Sequence, residues 1–257
     1  MVYQIVIPTY GRPDLVQEKT LALLHSYKIP KQQITLFVAN KKEYESYKKV
    51  PEKLYGSIVI GVPGIVNQRN FISRYYPVGT HIVSFDDDIS ALWELQGTKL
   101  VPLESLTQTI RRGFALCKKF GYHLWGIYPT KNALWMSSEP STNLKFLIGH
   151  MHGFINRKIP LHVAMKEDYE FSLENAVRDG GVIRLNDIAA TTKMGAPGGL
   201  GMTVVERKEV YSKAIDFLLN KYPGLVRKNP RREGEILLAR EVPAYRHTEC
   251  DVRQPFL

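Results

Sequence analysis

A regular alternation of short apolar runs with helical patterns in the first third of the chain most limits the possible folds. Four runs have the length of strands, at residues 3–7, 34–38, 57–60 and 80–85. Three helical patterns lie between them, at residues 14–27, 41–49 and 66–75. Strands separated by helices are typical of βαβ units. The alternation therefore predicts an α/β fold with a mostly parallel central sheet and helices on both faces.

The rest of the chain is less regular but contains further elements. We predict helices at residues 105–120, 166–178 and 206–222, strands at 122–128 and 182–185, and a strand pair or one bent strand at 146–155. Four glycines among residues 193–201 predict a loop, which could close as a lid or lie on the surface. Because there is no internal repeat or low-complexity linker, we expect one domain over residues 1–257.

The charge and composition narrow the class of protein. Of 257 residues, 35 are Lys or Arg and 25 are Asp or Glu, which gives a formal net charge of +10. This excess suggests a polyanionic partner, although a solvated basic surface produces it equally well. Two cysteines make no disulfide framework, no apolar run approaches the roughly 20 residues of a membrane helix, and the start does not resemble a signal peptide. We expect a cytoplasmic protein without a membrane partner.

Polar residues follow three of the predicted strands at the point where each strand ends. Residues 9–12 follow the first strand, Asn40 follows the second, and residues 86–88 follow the fourth. Parallel sheets bind their ligands beyond the carboxyl ends of the strands. The sequence therefore predicts a ligand site at this edge of the sheet.

The acidic triplet Asp86, Asp87 and Asp88 is the strongest chemical signal. Adjacent carboxylates repel one another unless a cation neutralises them. In an extended backbone Asp86 and Asp88 point to the same side and Asp87 points to the other. Two carboxylates on one side suit Mg²⁺ or Mn²⁺, which prefer oxygen ligands. The alternative is an acidic turn that caps the residues from Ser90 onward.

Two predicted helix starts carry further candidate residues. A glycine at position 64 precedes a helix that contains Asn67 and Arg69, where Arg69 could contact a phosphate or the acidic triplet, or simply lie on the solvent face. Glu167 and Asp168 open a later helix, where they either complement the helix dipole or supply a general base. We favour Asp168 as the base.

The histidines and cysteines give weaker signals. His247 could complete a divalent metal site with Asp86 and Asp88, or be an ordinary surface histidine. The sequence contains neither the H-E-x-x-H nor the C-x-x-C pattern, so a zinc site is not expected. Cys117 lies on the apolar side of its predicted helix and is interpreted as a buried structural thiol.

The basic residues gather in two segments that are candidates for nucleic-acid binding. The first segment contains Arg111, Arg112, Lys118 and Lys119. The second contains Lys221, Arg227, Lys228, Arg231 and Arg232, with Tyr222 beside them. Basic residues near an aromatic ring suit phosphate contacts combined with base stacking. A solvated basic surface remains the alternative for both segments.

In their order and spacing, these motifs resemble the GT-A fold glycosyltransferases. The resemblance spans residues 3–185 and rests on the I-P-T-Y-G-R-P segment at 7–13, the G-x-x-x-x-R-N helix at 64–70, the D-x-D at 86–88 and the E-D pair at 167–168. Within that fold, residues 124–132 and the K-E-D-Y-E-F-S-L-E-N helix from 166 resemble the TET/JBP-associated glycosyltransferases. That family occurs in phages and in eukaryotes with modified DNA bases.

The resemblance implies a metal-dependent, inverting transfer of a sugar from a UDP-sugar to a hydroxymethylated pyrimidine in DNA. It implies a nucleotide-sugar-binding half at 3–100, an acceptor and catalytic half at 101–190, and a basic C-terminal elaboration at 191–257. Asp168, with Glu167 beside it, would be catalytic, Asp88 and Asp86 would hold Mn²⁺ or Mg²⁺, and Asp86 would also contact the donor. The remaining donor-binding residues would be Thr9, Tyr10, Arg12, Asn40, Asn67, Arg69 and Asp87.

Two other functions are compatible with the sequence. One keeps the chemistry but transfers the sugar to a surface polysaccharide or a protein. The other is a non-catalytic glycosyltransferase-like domain that only binds nucleic acid. If the acceptor is a DNA base, a buried catalytic pocket favours an extruded nucleotide. The sequence does not identify the sugar or the oligomeric state.

Overall fold

A mixed β-sheet forms the centre of the computed structural model, which describes residues 1–192, 204–232 and 234–242. In chain order its strands are β1 (Gln4–Pro8), β2 (Ile34–Val38), β3 (Ser57–Ile60), β4 (His81–Phe85), β5 (Ala91–Gln96), β6 (Lys99–Pro102), β7 (Leu124–Tyr128), β8 (Met151–Ile155) and β9 (Ile183–Thr191). Across the sheet their order is β3-β2-β1-β4-β8-β7-β9-β5-β6. Only β5 and β8 run opposite to the other strands of this sheet. The predicted α/β class with a mostly parallel sheet is confirmed.

Helices cover both faces of the sheet. They are α1 (Pro13–Val16), a π-helical turn (Gln17–Leu21), α2 (Ala22–Ser26), α3 (Lys41–Tyr47), α4 (Ile65–Tyr75), α5 (Leu106–Phe120), α6 (Glu167–Asp179) and α7 (Val204–Lys221). A separate hairpin of β10 (Val226–Lys228) and β11 (Ile236–Leu238) follows α7. No helix in the described part of the chain is long and apolar enough to cross a membrane.

The alternating direction of side chains along the buried strands explains the two helical layers. Ile5 of β1 packs into one hydrophobic cluster with Phe114 of α5, and this side is called the α5 face. Val6, the next residue of β1, packs into a second cluster with Ile72 of α4 and Leu173 of α6, which forms the α6 face. Successive strand residues point to opposite faces, so a strand buried on both sides reads as a continuous apolar run.

The predicted strand pair or bent strand at residues 146–155 is wrong in extent. Only Met151–Ile155 is a strand, and it runs antiparallel to both β4 and β7. The backbone N–H groups of Leu147 and Gly149 instead donate to the side chains of Ser172 and Asp168 in α6. These two groups are therefore satisfied by a helix rather than by a neighbouring strand.

Strands β1, β2, β4 and β7 all end at one edge of the sheet, here called the carboxyl edge. The polar segments at 9–12, 40 and 86–88 follow β1, β2 and β4 and therefore meet there, as predicted. The start of α6 lies at the same edge, since Asp168 accepts a hydrogen bond from the N–H of Gly149, just before β8. The glycine-rich loop at 193–201 lies outside the described residues.

Candidate active site

A buried threonine holds the acidic triplet in place. The hydroxyl of Thr20 donates to the carbonyl oxygen of Asp86 at 2.6 Å and accepts from the N–H of Ile89 at 3.0 Å. Thr20 belongs to the π-helical turn between α1 and α2, and such turns are frequent at functional sites. The sequence gives no sign of this role, because Thr20 has the spacing of an ordinary core-facing helical residue.

The middle carboxylate of the triplet turns inward, away from Asp86 and Asp88. Asp87 is 2% exposed, and its oxygens accept from the Arg12 guanidinium at 2.6 Å and from the Thr9 hydroxyl at 2.7 Å. Burial raises the pKa of Asp87 to about 6, although Arg12 and Thr9 act in the opposite direction. Thr9 and Tyr47 are also hydrogen-bonded at 2.6 Å. These contacts fasten the loop after β1 to the triplet.

The other residues predicted for the donor pocket stand beside this network. Tyr10 is 49% exposed at the carboxyl edge. Asn40 caps α3, its side-chain oxygen accepting from the N–H of Glu43 at 3.0 Å. Asn67 makes a local bond from its amide to the carbonyl of Pro63 at 3.2 Å. All three residues are exposed, and Tyr10 offers an aromatic ring that could stack on a ligand.

Asp88 carries the clearest sign of a cation site. One of its carboxylate oxygens is buried and has no hydrogen-bond partner among the described residues. Burial raises the pKa of Asp88, and the charge of Asp86 raises it further. A divalent cation would satisfy the unpaired oxygen and relieve the repulsion between the two carboxylates. The residues at Asp86 and Asp88 therefore fit a divalent metal.

The protein ligands for such a metal are incomplete in the described part of the chain. Within residues 1–192, 204–232 and 234–242, no group of three His, Cys, Asp or Glu side chains is placed to hold an ion. His247, predicted as a further ligand, lies outside the described residues. Ions of this class commonly take remaining ligands from substrate phosphates and water.

Arg69 links the acidic triplet to the start of α6. Its guanidinium lies 3.9 Å from a carboxylate oxygen of Asp86 and 3.3 Å from a carboxylate oxygen of Glu167. The Arg69 side chain is 11% exposed, so both interactions are only weakly screened by solvent. The predicted contact between Arg69 and the triplet is therefore present in the structure, and it includes Glu167 as well.

Asp168 lies at the start of α6 with both carboxylate oxygens hydrogen-bonded to backbone N–H groups. Its oxygens accept from the backbone N–H of Tyr169 at 2.9 Å and of Gly149 at 3.3 Å. Burial raises the pKa of Asp168 and the neighbouring Glu167 raises it further, while Arg69 opposes both effects. A carboxylate with a raised pKa is a stronger base near neutral pH. The helix start thus combines a carboxylate of raised pKa with a second acidic residue, Glu167.

Gly149 is a site residue that sequence reasoning missed. A Cβ at this position would lie 2.8 Å from a terminal nitrogen of Arg69 and 3.9 Å from the Cβ of Asp168. Only a residue without a side chain leaves Arg69 where it is while donating its N–H to Asp168. Long-range packing creates this requirement, so no local pattern reveals it.

The two basic segments are placed very differently. Arg112 is ion-paired with Asp187 at 2.7 Å, and Arg111, Lys118 and Lys119 lie on α5, across the sheet from α6. Arg227, Lys228, Arg231 and Arg232 are exposed on the β10–β11 hairpin and its turn. Glu235 of that turn pairs at 2.9 Å with Lys166, the residue before α6. Only the second segment is thus tied to the Asp168 region.

The predicted base stacking on Tyr222 is wrong. The ring of Tyr222 is buried, and its hydroxyl donates to Glu174 at 2.6 Å. Lys221 is also engaged, with Glu170 at 3.1 Å and Glu174 at 2.8 Å. Both residues stabilise the contact between α7 and α6. The remaining basic residues of the segment keep exposed side chains.

Solved structures with the same architecture identify the fold. No family model and no curated protein matches the chain. A mannosyltransferase from Pyrobaculum calidifontis, in complex with GDP-Man and Mn²⁺, is 13% identical over 83% of this chain and 64% of its own, with a TM-score of 0.55. Glucosyl-3-phosphoglycerate synthase from Mycobacterium tuberculosis, in complex with Mn²⁺, UDP and glucosyl-3-phosphoglycerate, is 9% identical over 89% and 84%, with a TM-score of 0.53.

The chain has the GT-A fold. S. aureus TarS (residues 1–349) matches as well, at 15% identity over 86% of this chain and 66% of its own, with a TM-score of 0.50. The chain spans less than two thirds of the TarS and Pyrobaculum structures. The GT-A fold predicted from the motifs is confirmed. At these identities the likeness concerns the fold alone.

Proposed function

We propose that the chain is a metal-dependent, inverting glycosyltransferase that moves a sugar from a UDP-sugar to a hydroxymethylated pyrimidine in DNA. The observation that carries the proposal is Asp168, a carboxylate with a raised pKa that Arg69 and Glu167 connect to Asp86 at the carboxyl edge. Two GT-A neighbours were solved with Mn²⁺ and a nucleotide or nucleotide-sugar, which supports the same donor class here.

In this proposal Asp168 activates the acceptor hydroxyl. The hydroxyl oxygen forms a bond to the anomeric carbon of the sugar while its proton passes to a carboxylate oxygen of Asp168. The bond from that carbon to the diphosphate breaks, and UDP leaves with the electron pair. Because nucleophile and leaving group lie on opposite faces of the sugar, one displacement inverts the anomeric centre.

Asp88 and Asp86 would hold the divalent metal, with His247 as a further candidate ligand. When bound, Mn²⁺ or Mg²⁺ would supply positive charge to offset the charge that develops on the departing diphosphate. Thr9, Tyr10, Arg12, Asn40, Asn67, Arg69 and Asp87 would line the donor pocket. In this arrangement Asp87 acts through Arg12 and Thr9, whose positions it fixes. Arg69 would orient the diphosphate or Asp86.

A DNA acceptor agrees best with the distribution of charge. The net charge is +10, while the acidic residues Asp86, Glu167 and Asp168 lie together in the cleft. The exposed cations Arg227, Lys228, Arg231 and Arg232 lie on a hairpin tied to the start of α6. The narrower resemblance to the TET/JBP-associated enzymes supports the same acceptor. In this proposal the target base is extruded into the cleft.

A transfer assay tests the proposal. The protein is incubated with labelled UDP-sugars, Mn²⁺ and DNA containing 5-hydroxymethylcytosine or 5-hydroxymethyluracil, and the DNA is digested to nucleosides for mass spectrometry. We expect a glycosylated hydroxymethyl nucleoside that is absent without Mn²⁺. Unmodified DNA serves as the matched control, and transfer to it would contradict the proposed acceptor.

The other outcomes identify the alternatives. Donor hydrolysis without transfer to DNA favours a polysaccharide or protein acceptor. Tight DNA binding without any turnover favours a non-catalytic domain. The carboxylates at Asp86, Asp88 and Asp168 argue against the second alternative, since binding DNA requires no acidic cleft.

A further inference from the structure

Three cationic side chains converge on the α6 face without a carboxylate to pair with them. Arg184 lies in β9, where its backbone exchanges two hydrogen bonds of 2.9 Å with Ser141. Arg240 follows β11, and its carbonyl accepts from the amide of Asn143 at 2.9 Å. Lys145 lies between them, and burial together with the charges of Arg184 and Arg240 lowers its pKa. No ion pair involves any of the three among the described residues.

Arg184 is held in a fixed orientation. Its Nε donates to the side-chain oxygen of Asn186 at 2.7 Å, and its guanidinium lies 4.8 Å from the centre of the Tyr128 ring. The amide of Asn186 in turn donates to the carbonyl of Glu139 at 2.7 Å and to the hydroxyl of Ser141 at 2.8 Å. A guanidinium oriented this way presents its terminal nitrogens as a planar fork, the geometry that phosphate recognition favours.

Lys145 lies on the segment that also contacts the proposed base. Gly149, whose N–H donates to Asp168, follows Lys145 by four residues. Four residues span at most about 14 Å when fully extended, so Lys145 lies within about that distance of Gly149. Phe146 stacks on Tyr169 with ring centres 4.0 Å apart, which fixes this segment against α6.

The same connection between β7 and β8 exposes large apolar side chains. Leu134 is 89% exposed and Trp135 is 72% exposed. The connection is tied back to β9, because the N–H of Ser137 donates to the carbonyl of Asn186 at 3.3 Å. Proteins that bind single-stranded nucleic acids combine basic residues with exposed aromatic rings on which the bases stack.

We propose that Lys145, Arg184 and Arg240 bind backbone phosphates of the acceptor DNA strand, and that Trp135 stacks on one of its bases. The inference rests on the proposed function, since it deepens the account of the acceptor. It places strand binding on the α6 face, the side of the sheet that carries Asp168, and not on α5 at Arg111, Arg112, Lys118 and Lys119. Neither charge nor spacing in the sequence marks these three cations as a group.

A binding experiment with charge-matched variants tests the site. Fluorescence anisotropy with a labelled single-stranded oligonucleotide compares the wild type with Lys145→Gln/Arg240→Gln and with Lys53→Gln/Lys99→Gln. Both double variants lose two positive charges; Lys53 is an exposed residue that precedes the outer strand β3, and Lys99 is the exposed first residue of the outer strand β6. We expect the first variant to bind roughly tenfold or more weakly, with a shallower salt dependence, and the control to stay within about twofold of the wild type.

Equal losses in the two variants, or a larger loss in Lys118→Gln/Lys119→Gln, would overturn the inference. An abasic strand tests the stacking, because it keeps every phosphate. The wild type should prefer the strand with bases, and Trp135→Ala should lose that preference. Equal binding of the two strands by the wild type would overturn the role of Trp135. Inorganic polyphosphate is also tested as a competitor of the labelled strand. If it competes as effectively as unlabelled DNA at equal phosphate concentration, the assignment of the site to nucleic acid is wrong.

Donor turnover separates this inference from the proposed function. Release of UDP from a UDP-sugar with Mn²⁺ and without DNA is measured for the same variants. If no variant and no wild-type protein releases UDP, but Lys145→Gln/Arg240→Gln binds DNA more weakly than the control variant, the proposed chemistry is wrong and the phosphate site stands. If DNA is glycosylated but Lys145→Gln/Arg240→Gln binds like the wild type, the phosphate site is wrong and the chemistry stands.

Discussion

Glu167 and Asp168 place two carboxylates side by side in the first turn of α6, with Arg69 3.3 Å from Glu167. Burial raises the pKa of Asp168, the negative charge of Glu167 raises it further, and Arg69 lowers it. Neutralising Glu167 removes one of the two raising effects while Arg69 still acts, so the pKa of Asp168 should fall. A base with a lower pKa stays ionised to lower pH.

The resulting prediction concerns the pH dependence of transfer. In Glu167→Gln the acidic limb of kcat/KM should move to lower pH than in the wild type, because this limb reports the ionisation of the base in the free enzyme. Glu139→Gln, at an exposed position, is the control and should leave the limb in place. A limb that stays fixed or moves to higher pH in Glu167→Gln would show that Asp168 is not the group that titrates.

A second prediction concerns Asp87, the residue of the acidic triplet that we expect to contribute to stability. Asp87→Asn leaves the half-buried Arg12 without its charged partner and should lower the free energy of unfolding by about 1.5–3 kcal/mol. Asp14→Asn removes an exposed pair with Lys49 and should cost only about 0–1 kcal/mol. Urea denaturation measures both. Equal losses in the two variants would mean that the Asp87 network contributes no more than a surface ion pair.

At the residue scale, the sequence predicted the candidate site residues that form a pattern with their immediate neighbours in the chain. Adjacent carboxylates after a strand, and an acidic pair at a helix start, are visible as patterns. Thr20 and Gly149 are not, because their roles depend on residues 66 and 19 positions away in the chain. The Lys145, Arg184 and Arg240 group is equally invisible, since three separate segments bring it together.

Among the elements, the end of α2 offers a test of local backbone geometry. Lys28 adopts a left-handed conformation with φ of 56° and is exposed. The N–H groups of Lys28 and Ile29 donate back to the carbonyls of His25 and Leu24, closing the helix as glycine-ended helices do. A side chain in this conformation costs about 1–2 kcal/mol, of which glycine's extra chain entropy offsets a part.

Lys28→Gly should therefore stabilise the protein by a few tenths to about 1 kcal/mol. The control is Arg111→Gly, at an exposed position inside α5, which should destabilise it by about 1 kcal/mol. Both changes are measured as shifts in the midpoint of urea denaturation. Destabilisation by Lys28→Gly would show that the side chain makes contacts that outweigh its backbone strain.

The elements themselves were predicted unevenly, for physical reasons. Strands β1, β2 and β4 are buried on both faces, so they appear as continuous apolar runs. β5 and β6 were missed because polar residues interrupt or shorten their apolar runs, and β10 and β11 because three residues are too few to show a period. The direction of β8 was not predictable, since a strand's own residues do not encode which neighbour it pairs with.

At the scale of the whole molecule, the net charge of +10 is unevenly distributed: acidic residues gather at the proposed active site, and basic residues gather outside it. The proposed active site contains Asp86, Glu167 and Asp168, whereas exposed cations lie on the β10–β11 hairpin and at Arg240. Raising the salt concentration from about 50 to 200 mM should therefore reduce transfer to duplex DNA steeply, while donor hydrolysis without DNA changes little. Parallel losses of both activities would contradict an electrostatic role in acceptor binding.

The central claim is that Asp168 is the base of a glycosyltransferase site, and one comparison tests it most directly. Transfer to hydroxymethylated DNA is measured for the wild type and Asp168→Asn, together with UDP binding in the presence of Mn²⁺. We predict that Asp168→Asn lowers kcat by about 10²–10⁴-fold and leaves UDP affinity unchanged, whereas Asp88→Asn abolishes metal-dependent transfer. Normal turnover in Asp168→Asn would contradict the account.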